Sequence, residues 1–299
     1  MLLNIKNWLG RKFRKMTVLQ VVVFAVVFVL FAFYAFSILY AMYWCIITSL
    51  KHMEFYLTDK WGAPPIDQMM FTNYVSALNS LVDPNSNCNV VMMLINSIWY
   101  SFGGTIISIG CSTCMAYVVS KYKFPGRKVL YTVAIVIMTL PIMGTLPASY
   151  RLICQTLAIN NSPLILLTFT SGFGMNFVIL FGFFSNVSWS YAEAGKIDGA
   201  GDFTIFAKIM MPQAMPAITS LFVIAFIGVW NDYTGPYLYM DKMPTLSSGL
   251  YMLQSEFENS FTINTMCAAL TMVMIPVLII FLIFQETIMS NTVAGGLKG

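Results

Sequence analysis

The residues with chemistry of their own are few. Six cysteines and one histidine stand in 299 residues. Cys111 and Cys114 have the spacing of half a metal knuckle, but no second pair lies at metal-site spacing. At i and i+3 of an uncharged stretch they read as packing residues, a common use of a small soft side chain. His52 stands alone, so neither a histidine-based triad nor a multi-histidine metal site can be assembled. Cys88 and Cys154 are expected on the same side of the membrane, and a disulfide between them stays open. No Gly-x-x-x-x-Gly-Lys-Ser/Thr phosphate loop occurs, so ATP hydrolysis by that route is excluded. No acids, histidines or serines cluster at catalytic spacing inside the apolar stretches, which argues against a membrane-embedded enzyme. No charge lies deep in those stretches either, and ion- or proton-coupled relays normally need one. No metal and no cofactor is expected on this chain.

The segment whose residue types predict a specific shape is 186–212. Ser190 and Glu193 have capping-box spacing, which predicts a short helix starting at 191. Gly199-Ala200-Gly201 tolerates positive φ and should stop that helix and turn the chain. Asp202 is a good N-cap for a second helix. Phe203, Phe206 and Met210 fall on one face of it, with Ile209 beside them. Pro212 disfavours helix at Met211 and is expected to mark the end. The product is a helical hairpin with an apolar face. An apolar face in water marks a contact, either with a partner or with the protein's own inner surface.

The elements that must hold this hairpin are set by hydropathy. Hydrophobic residues make up 58% of the chain and charged residues only 9%, whereas a soluble domain carries about 25% charge. Uncharged runs cover 18–50, 84–120, 129–150, 152–192, 209–231 and 259–285. A bilayer core needs roughly 20 apolar helical residues, so each run holds one span. The expected helices lie near 18–46, 91–119, 129–150, 164–185, 213–231 and 264–285, an all-α membrane protein with six transmembrane helices. The first run is too long for a signal peptide and no small-residue cleavage site follows it, so it reads as a retained span. Residues 1–17 form a basic N-terminal segment, either an interfacial helix or a frayed tail; 18–299 form the transmembrane domain.

With the N-terminus in the cytoplasm, twelve of the sixteen lysines and arginines fall inside, as the positive-inside rule requires. Both termini and the 186–212 loop are then cytoplasmic. The net charge of +4 is accounted for by this asymmetry, and no basic stripe remains to suggest nucleic acid.

Glu193-Ala194, Gly199, Ile209 and Pro212 resemble the "EAA" loop of ABC importer permeases. That pattern is Glu-Ala-Ala, three residues, Gly, nine residues, Ile, one residue, Leu-Pro. All spacings match; Gly195 replaces the second Ala and Met211 replaces Leu. Asn96-Ser97, Ala116-Tyr117, Phe124-Pro125-Gly126-Arg127-Lys128, Trp230-Asn231-Asp232 and the ending Ala294-Gly295-Gly296-Leu297-Lys298-Gly299 are similar to the carbohydrate branch. The chain therefore resembles the maltose-transporter-like, six-span permeases; residues 52–90 match least. The resemblance implies the type I ABC importer permease fold and a cytoplasmic coupling-helix hairpin. It also implies a second homologous permease, an ABC ATPase dimer that uses ATP and Mg, and an extracellular solute-binding protein docking on loops near 51–90, 151–162 and 232–263. The localisation implied is the bacterial cytoplasmic membrane.

In that reading Glu193, Ala194, Gly199, Phe203, Phe206, Ile209, Met210 and Pro212 couple to the ATPase. Glu193 makes a charged contact there, or else only a helix cap with Ser190. Thr139, Asn176, Asn231 and Tyr233 are candidates for a sugar path, being neutral polar or aromatic groups. Against this stands ordinary helix–helix hydrogen bonding. Pro141 and Pro147 are expected to kink the third span, and Gly172 and Gly174 to thin the fourth. The rival class is a secondary or ion-independent polytopic transporter of small solutes; it needs internal repeats, which are not visible, and leaves the hairpin unexplained. A channel is disfavoured because no filter-like loop or charged ring is evident.

Overall fold

In a computed structural model the structure describes residues 17–81, 88–140, 144–260 and 262–294, with the side chains of 255–260 and 287–294 outside that description. The expected basic N-terminal segment, Pro141 and the last five residues therefore lie outside the described residues. The described chain is helices joined by short connections: α1 Val18–Ser49, α2 Met53–Thr58, α3 Thr72–Ser80, α4 Val90–Lys121, α5 Arg127–Thr139, α6 Thr145–Tyr150, α7 Met175–Asn186, α8 Ser190–Ile197, α9 Asp202–Asn231, α10 Thr234–Tyr239, α11 Leu246–Ser260 and α12 Ile263–Ala294. Residues divide into two units, 1–74 with 262–271, and 75–261 with 272–299.

Six spans were expected; among the described residues four helices, α1, α4, α9 and α12 (to Glu286), are long and apolar enough to cross a membrane. A fifth is obtained if the 3₁₀ segment Pro163–Thr170 and α7, bent by 56°, count as one span. The bend falls at Gly172–Gly174. There a Cβ on Gly172 would lie 1.8 Å from the Met115 sulfur of α4, so any larger residue would have to displace that methionine side chain. The third expected span is broken into α5 and α6. Gly144, in the left-handed region at φ +76°, precedes α6, and Pro147 lies in its first turns. Thirteen residues of α5 reach about 20 Å, short of a hydrocarbon core of about 30 Å. The fifth expected span is real but starts earlier, because helix runs unbroken from the hairpin into it.

In the first unit, α1 keeps its apolar side chains outward: none of its most apolar stretch is buried, as suits a lipid solvent. Order begins at its C-terminal end. Lys51 has no exposed surface. Its Nζ donates to the carbonyls of Asp59 and Lys60 at 3.1 Å each. The Asn73 and Asn264 amides donate to the carbonyls of Ser49 and Lys51 and of Thr48 and Lys51, between 2.8 and 3.1 Å. The unpaired carbonyls that every helix end leaves are thus met by side chains.

In the second unit, α4 is the central post. Its small buried residues Ser97, Ser101, Gly104, Thr105, Ser112, Thr113 and Ala116 let α7, α9 and the 163–170 segment approach closely, the usual device of helix contacts in membranes.

Candidate functional site

The hairpin forms where its local chemistry requires, with two corrections. Its first helix starts at Ser190 rather than 191. Ser190 bonds Ser188 (Oγ to Oγ, 2.7 Å) and no side chain caps the helix, so the expected capping box with Glu193 does not form. The turn is as expected: Gly199 has φ +78°. Its N–H donates to Lys196 O at 3.0 Å and the next N–H, of Ala200, to Gly195 O at 2.9 Å. That pair of bonds is the Schellman closure, which needs a left-handed residue at the turn.

The second correction concerns the far end. Pro212 does not stop the helix. Residues 205–210 adopt a wider π turn and α9 continues to Asn231. In α register the N–H of residue 212 would bond the Lys208 carbonyl; proline has none, and a widened turn just before it absorbs the mismatch. Gly201 takes the N-cap position, so Asp202 is the first helical residue. From there its carboxylate meets Lys196 across the turn at 3.3 Å, an exposed pair worth at most about 1 kcal/mol.

The expected apolar face is turned mostly inward. Met210 and Ile205 are 0% and 1% exposed, and Ala192 closes against them. Phe206 is half-buried, with its ring centroid 4.8 Å from that of Tyr117. Ile209 is half-buried with its δ-methyl over Gly195, where a Cβ would stand 2.6 Å away. The two hairpin helices touch there, and a larger residue at 195 would have to displace the end of the Ile209 side chain. Of the expected apolar contacts only Phe203 stays fully exposed, at 79%. Ile197, 86% exposed, stands with it beside the turn and was missed in the sequence. Its signal was an isoleucine directly before the Asp-Gly turn. Glu193, Ala194, Gly199 and Pro212 are exposed.

The hairpin is held from α4. Lys121 Nζ donates to the Val187 carbonyl at the entry to the hairpin, and Tyr122 meets Trp189 edge to face at 5.8 Å; the Arg127 guanidinium, donating to Ser120 O at 2.9 Å, ties α5 to the same end of α4. Lys196 lies 5.8 Å over the same indole. Tyr117 packs edge-on to Phe184 of α7 at 5.6 Å. The hairpin therefore has one core with α4 and α7 and cannot swing as a free loop.

At the opposite end of α4, Asn96 Nδ2 donates to Pro244 O at 3.0 Å and Ser97 Oγ accepts from Leu246 N at 2.8 Å. Ser247 donates to the Trp230 carbonyl. Asn231 and Tyr233 adjoin each other after α9; the Asn231 amide is bonded to Ile227 O of its own helix at 2.9 Å. Tyr233 stacks on Tyr251 at 4.6 Å, and Tyr237 meets Tyr251 edge-on at 5.1 Å. These three rings form an exposed aromatic patch. Thr139 ends α5, exposed and bonded to Val136 O at 3.1 Å. Asn176 is half-buried in the first turn of α7. Cys88 and Cys154 are not joined by a disulfide; the Cys88 thiol donates to the Lys242 carbonyl at 3.6 Å, and Cys111, Cys114 and Cys154 are free thiols. Among the described residues no group of three His, Cys, Asp or Glu is placed to hold a metal.

Residues 104–291 match the family described as binding-protein-dependent transport system inner membrane component. The diacetylchitobiose uptake system permease protein NgcG of Streptomyces coelicolor is 27% identical over 261 residues, 85% of this chain and 82% of that protein. The galactooligosaccharides transport system permease protein GanQ of Bacillus subtilis is 29% identical over 212 residues, 70% of this chain and 75% of that one. Among solved structures, a chain of a bacterial ABC transporter involved in the import of the acidic polysaccharide alginate superposes with a TM-score of 0.69. It is 22% identical, and the match covers 91% of this chain and 98% of the other.

Proposed function

Because the chain belongs to the binding-protein-dependent transport system inner membrane component family, we propose that it forms half of the translocation pore of an ABC importer for a sugar or oligosaccharide. Substrates of the relatives, diacetylchitobiose and galactooligosaccharides, support the carbohydrate class. The other half is a second, homologous permease, and an extracellular solute-binding protein delivers the substrate. ATP and magnesium are used by a separate ATPase pair.

The observation that carries the coupling role is the hairpin's tip. Ile197 and Phe203 are almost fully exposed beside a turn whose Ala192, Ile205 and Met210 are buried and whose Phe206 and Ile209 are half-buried. Two large apolar groups held rigidly in water, with Glu193 exposed on the adjoining helix, suit an apolar cleft with a cationic rim. Through Met210, Ile205 and Phe206, a push on the tip passes to α4, α7 and α9. Phe203, Ile197 and Glu193 then touch the ATPase, whereas Ala194, Gly199, Phe206, Ile209, Met210 and Pro212 shape and anchor the hairpin. This reading places 190–211 and both termini in the cytoplasm. The test is site-specific cross-linking from positions 193, 197 and 203 in intact membranes. Capture of a nucleotide-binding subunit is expected; reaction of those positions with an impermeant reagent from outside the cell would overturn the reading.

Asn231, Tyr233 and the stacked Tyr251 are the better candidates for solute contact, since sugars present apolar ring faces edged with hydroxyls. Thr139 and Asn176 stand as weaker members of the same path.

A further inference from the structure

Two hydroxyls in the middle of α4 have no partner. Ser101 and Thr105 are 1% and 0% exposed, and neither oxygen makes a hydrogen bond within the protein. The indole N–H of Trp230, 2% exposed, is in the same condition. Buried polar groups without partners cost stability, and a hydroxyl in a span has an easy remedy in the carbonyl one turn back. Thr113 uses it, donating to Ile109 O at 2.7 Å. Ser101 and Thr105 do not.

Their direction follows from the helix. At 100° per residue, Ser101 and Thr105 point between Gly104 and Phe102. Gly104 faces Phe169, whose ring a Cβ would approach to 2.9 Å. Phe102 faces Phe222 and Phe226 of α9, with ring centroids at 6.2 and 4.8 Å. Trp230 follows Phe226 by one turn, its ring 5.8 Å away. One turn before Ser101 on the same face, Ser97 is satisfied by Leu246 N. A polar line thus runs from the start of α11 into the junction of α4, α9 and the 163–170 segment. It is satisfied at its α11 end and unsatisfied within.

We propose that Ser101 and Thr105 are a contact site for the hydroxyls of a neutral polyhydroxylated solute, closed in this conformation and opened when α4 and α9 part. The inference deepens the permease reading and rests on it. The chemistry fits that class: donors and acceptors without charge, beside an aromatic ring able to cover a sugar face. Such groups left dry in the closed state favour its opening.

The test uses the assembled transporter with Ser101→Ala and Thr105→Val, which remove the hydroxyls with little change of volume. Uptake of the cognate sugar should fall at least fivefold through a raised KM, while the Tm of the complex stays level or rises. Unchanged uptake in both variants, or a Tm that falls in step with uptake, overturns the proposal. Ser101→Cys and Thr105→Cys, with the native cysteines replaced, give an independent reading. A water-soluble thiol reagent should label them at least tenfold faster in one nucleotide state, and saturating sugar should slow that labelling. Positions inert in every state would sink the proposal. A complex that takes up no sugar even unmutated would instead count against the permease reading.

Discussion

In the hairpin around Gly199, Ala192, Ile205 and Met210 have almost no exposed surface. In α1, Phe24, Phe28, Phe31 and Phe36 are each more than half exposed. Both segments are rich in apolar residues, yet one turns them into a core and the other into its solvent. The difference shows that apolarity carries two physical meanings in such a chain. Where water surrounds the backbone, an apolar group gains by burial, at about 25 cal/mol per Å². Where lipid surrounds it, leaving the surface gains almost nothing, and only packing and hydrogen bonds draw helices together. The hairpin is accordingly interlocked side chain by side chain, whereas α1 is ordered chiefly where Lys51, Asn73 and Asn264 tie its C-terminal end.

The sharpest way to break this contrast is to truncate one large apolar residue in each region. Met210→Ala should cost about 2–5 kcal/mol, as for other core truncations, whereas Phe28→Ala should cost about 0.5 kcal/mol or less. Thermal unfolding of the purified complex measures both, and equal losses would show that α1 is as tightly held as the hairpin.

Lys121→Met comes next. It leaves the Val187 carbonyl without its charged donor, a loss of about 1.5–3 kcal/mol. The hairpin should loosen and proteolysis near residues 187–201 should accelerate, while Lys121→Arg restores protection. Protection unchanged by Lys121→Met would mean the aromatic contacts of Tyr122 and Trp189 suffice alone.

Gly199→Val should cost about 1–2 kcal/mol, because a β-branched residue is strained at positive φ although space around the position is open. Gly199→Asp is milder for the backbone, since Asp tolerates that region. Both should abolish uptake while the protein remains in the membrane, as uptake and immunoblotting would show. Normal uptake in Gly199→Asp would remove the hairpin from coupling.

The smallest effect belongs to the loop after α2. The Asp59 carboxyl lies below its ordinary value because it accepts the N–H groups of Gly62 and Trp61. A lowered carboxylate value stabilises the fold above its unfolded pKa, and that contribution is lost as pH falls through the folded one. Hydrogen exchange at Trp61 and Gly62, corrected for intrinsic rates, should therefore rise only below about pH 4 and disappear as a pH effect in Asp59→Asn.

Much of the molecule was readable along the chain. Hydropathy over about 20 residues found α1, α4 and α12, because lipid acts on each span separately. The Gly199 turn was readable because positive φ is a property of one residue. Two judgements failed where a local rule met a distant partner. Pro212 read as a stop, but the π turn before it kept the helix whole. The third span read as one helix kinked at its prolines, but α5 ends at Thr139 and α6 begins only after Gly144, which is left-handed. Whether Phe206, Ile209 and Met210 faced a partner or the protein's own surface stayed open along the chain, and the approach of Tyr117 and Gly195 decided it.

The sequence by itself determined that the chain is a polytopic helical membrane protein with a glycine-hinged hairpin after its fourth apolar run. Those features depend on solvent and on single-residue torsions, both local. The tertiary structure alone decided which apolar residues of the hairpin remain outside and which hydroxyls of α4 go unpartnered. Facing direction and hydrogen-bond satisfaction belong to pairs of residues far apart in the chain.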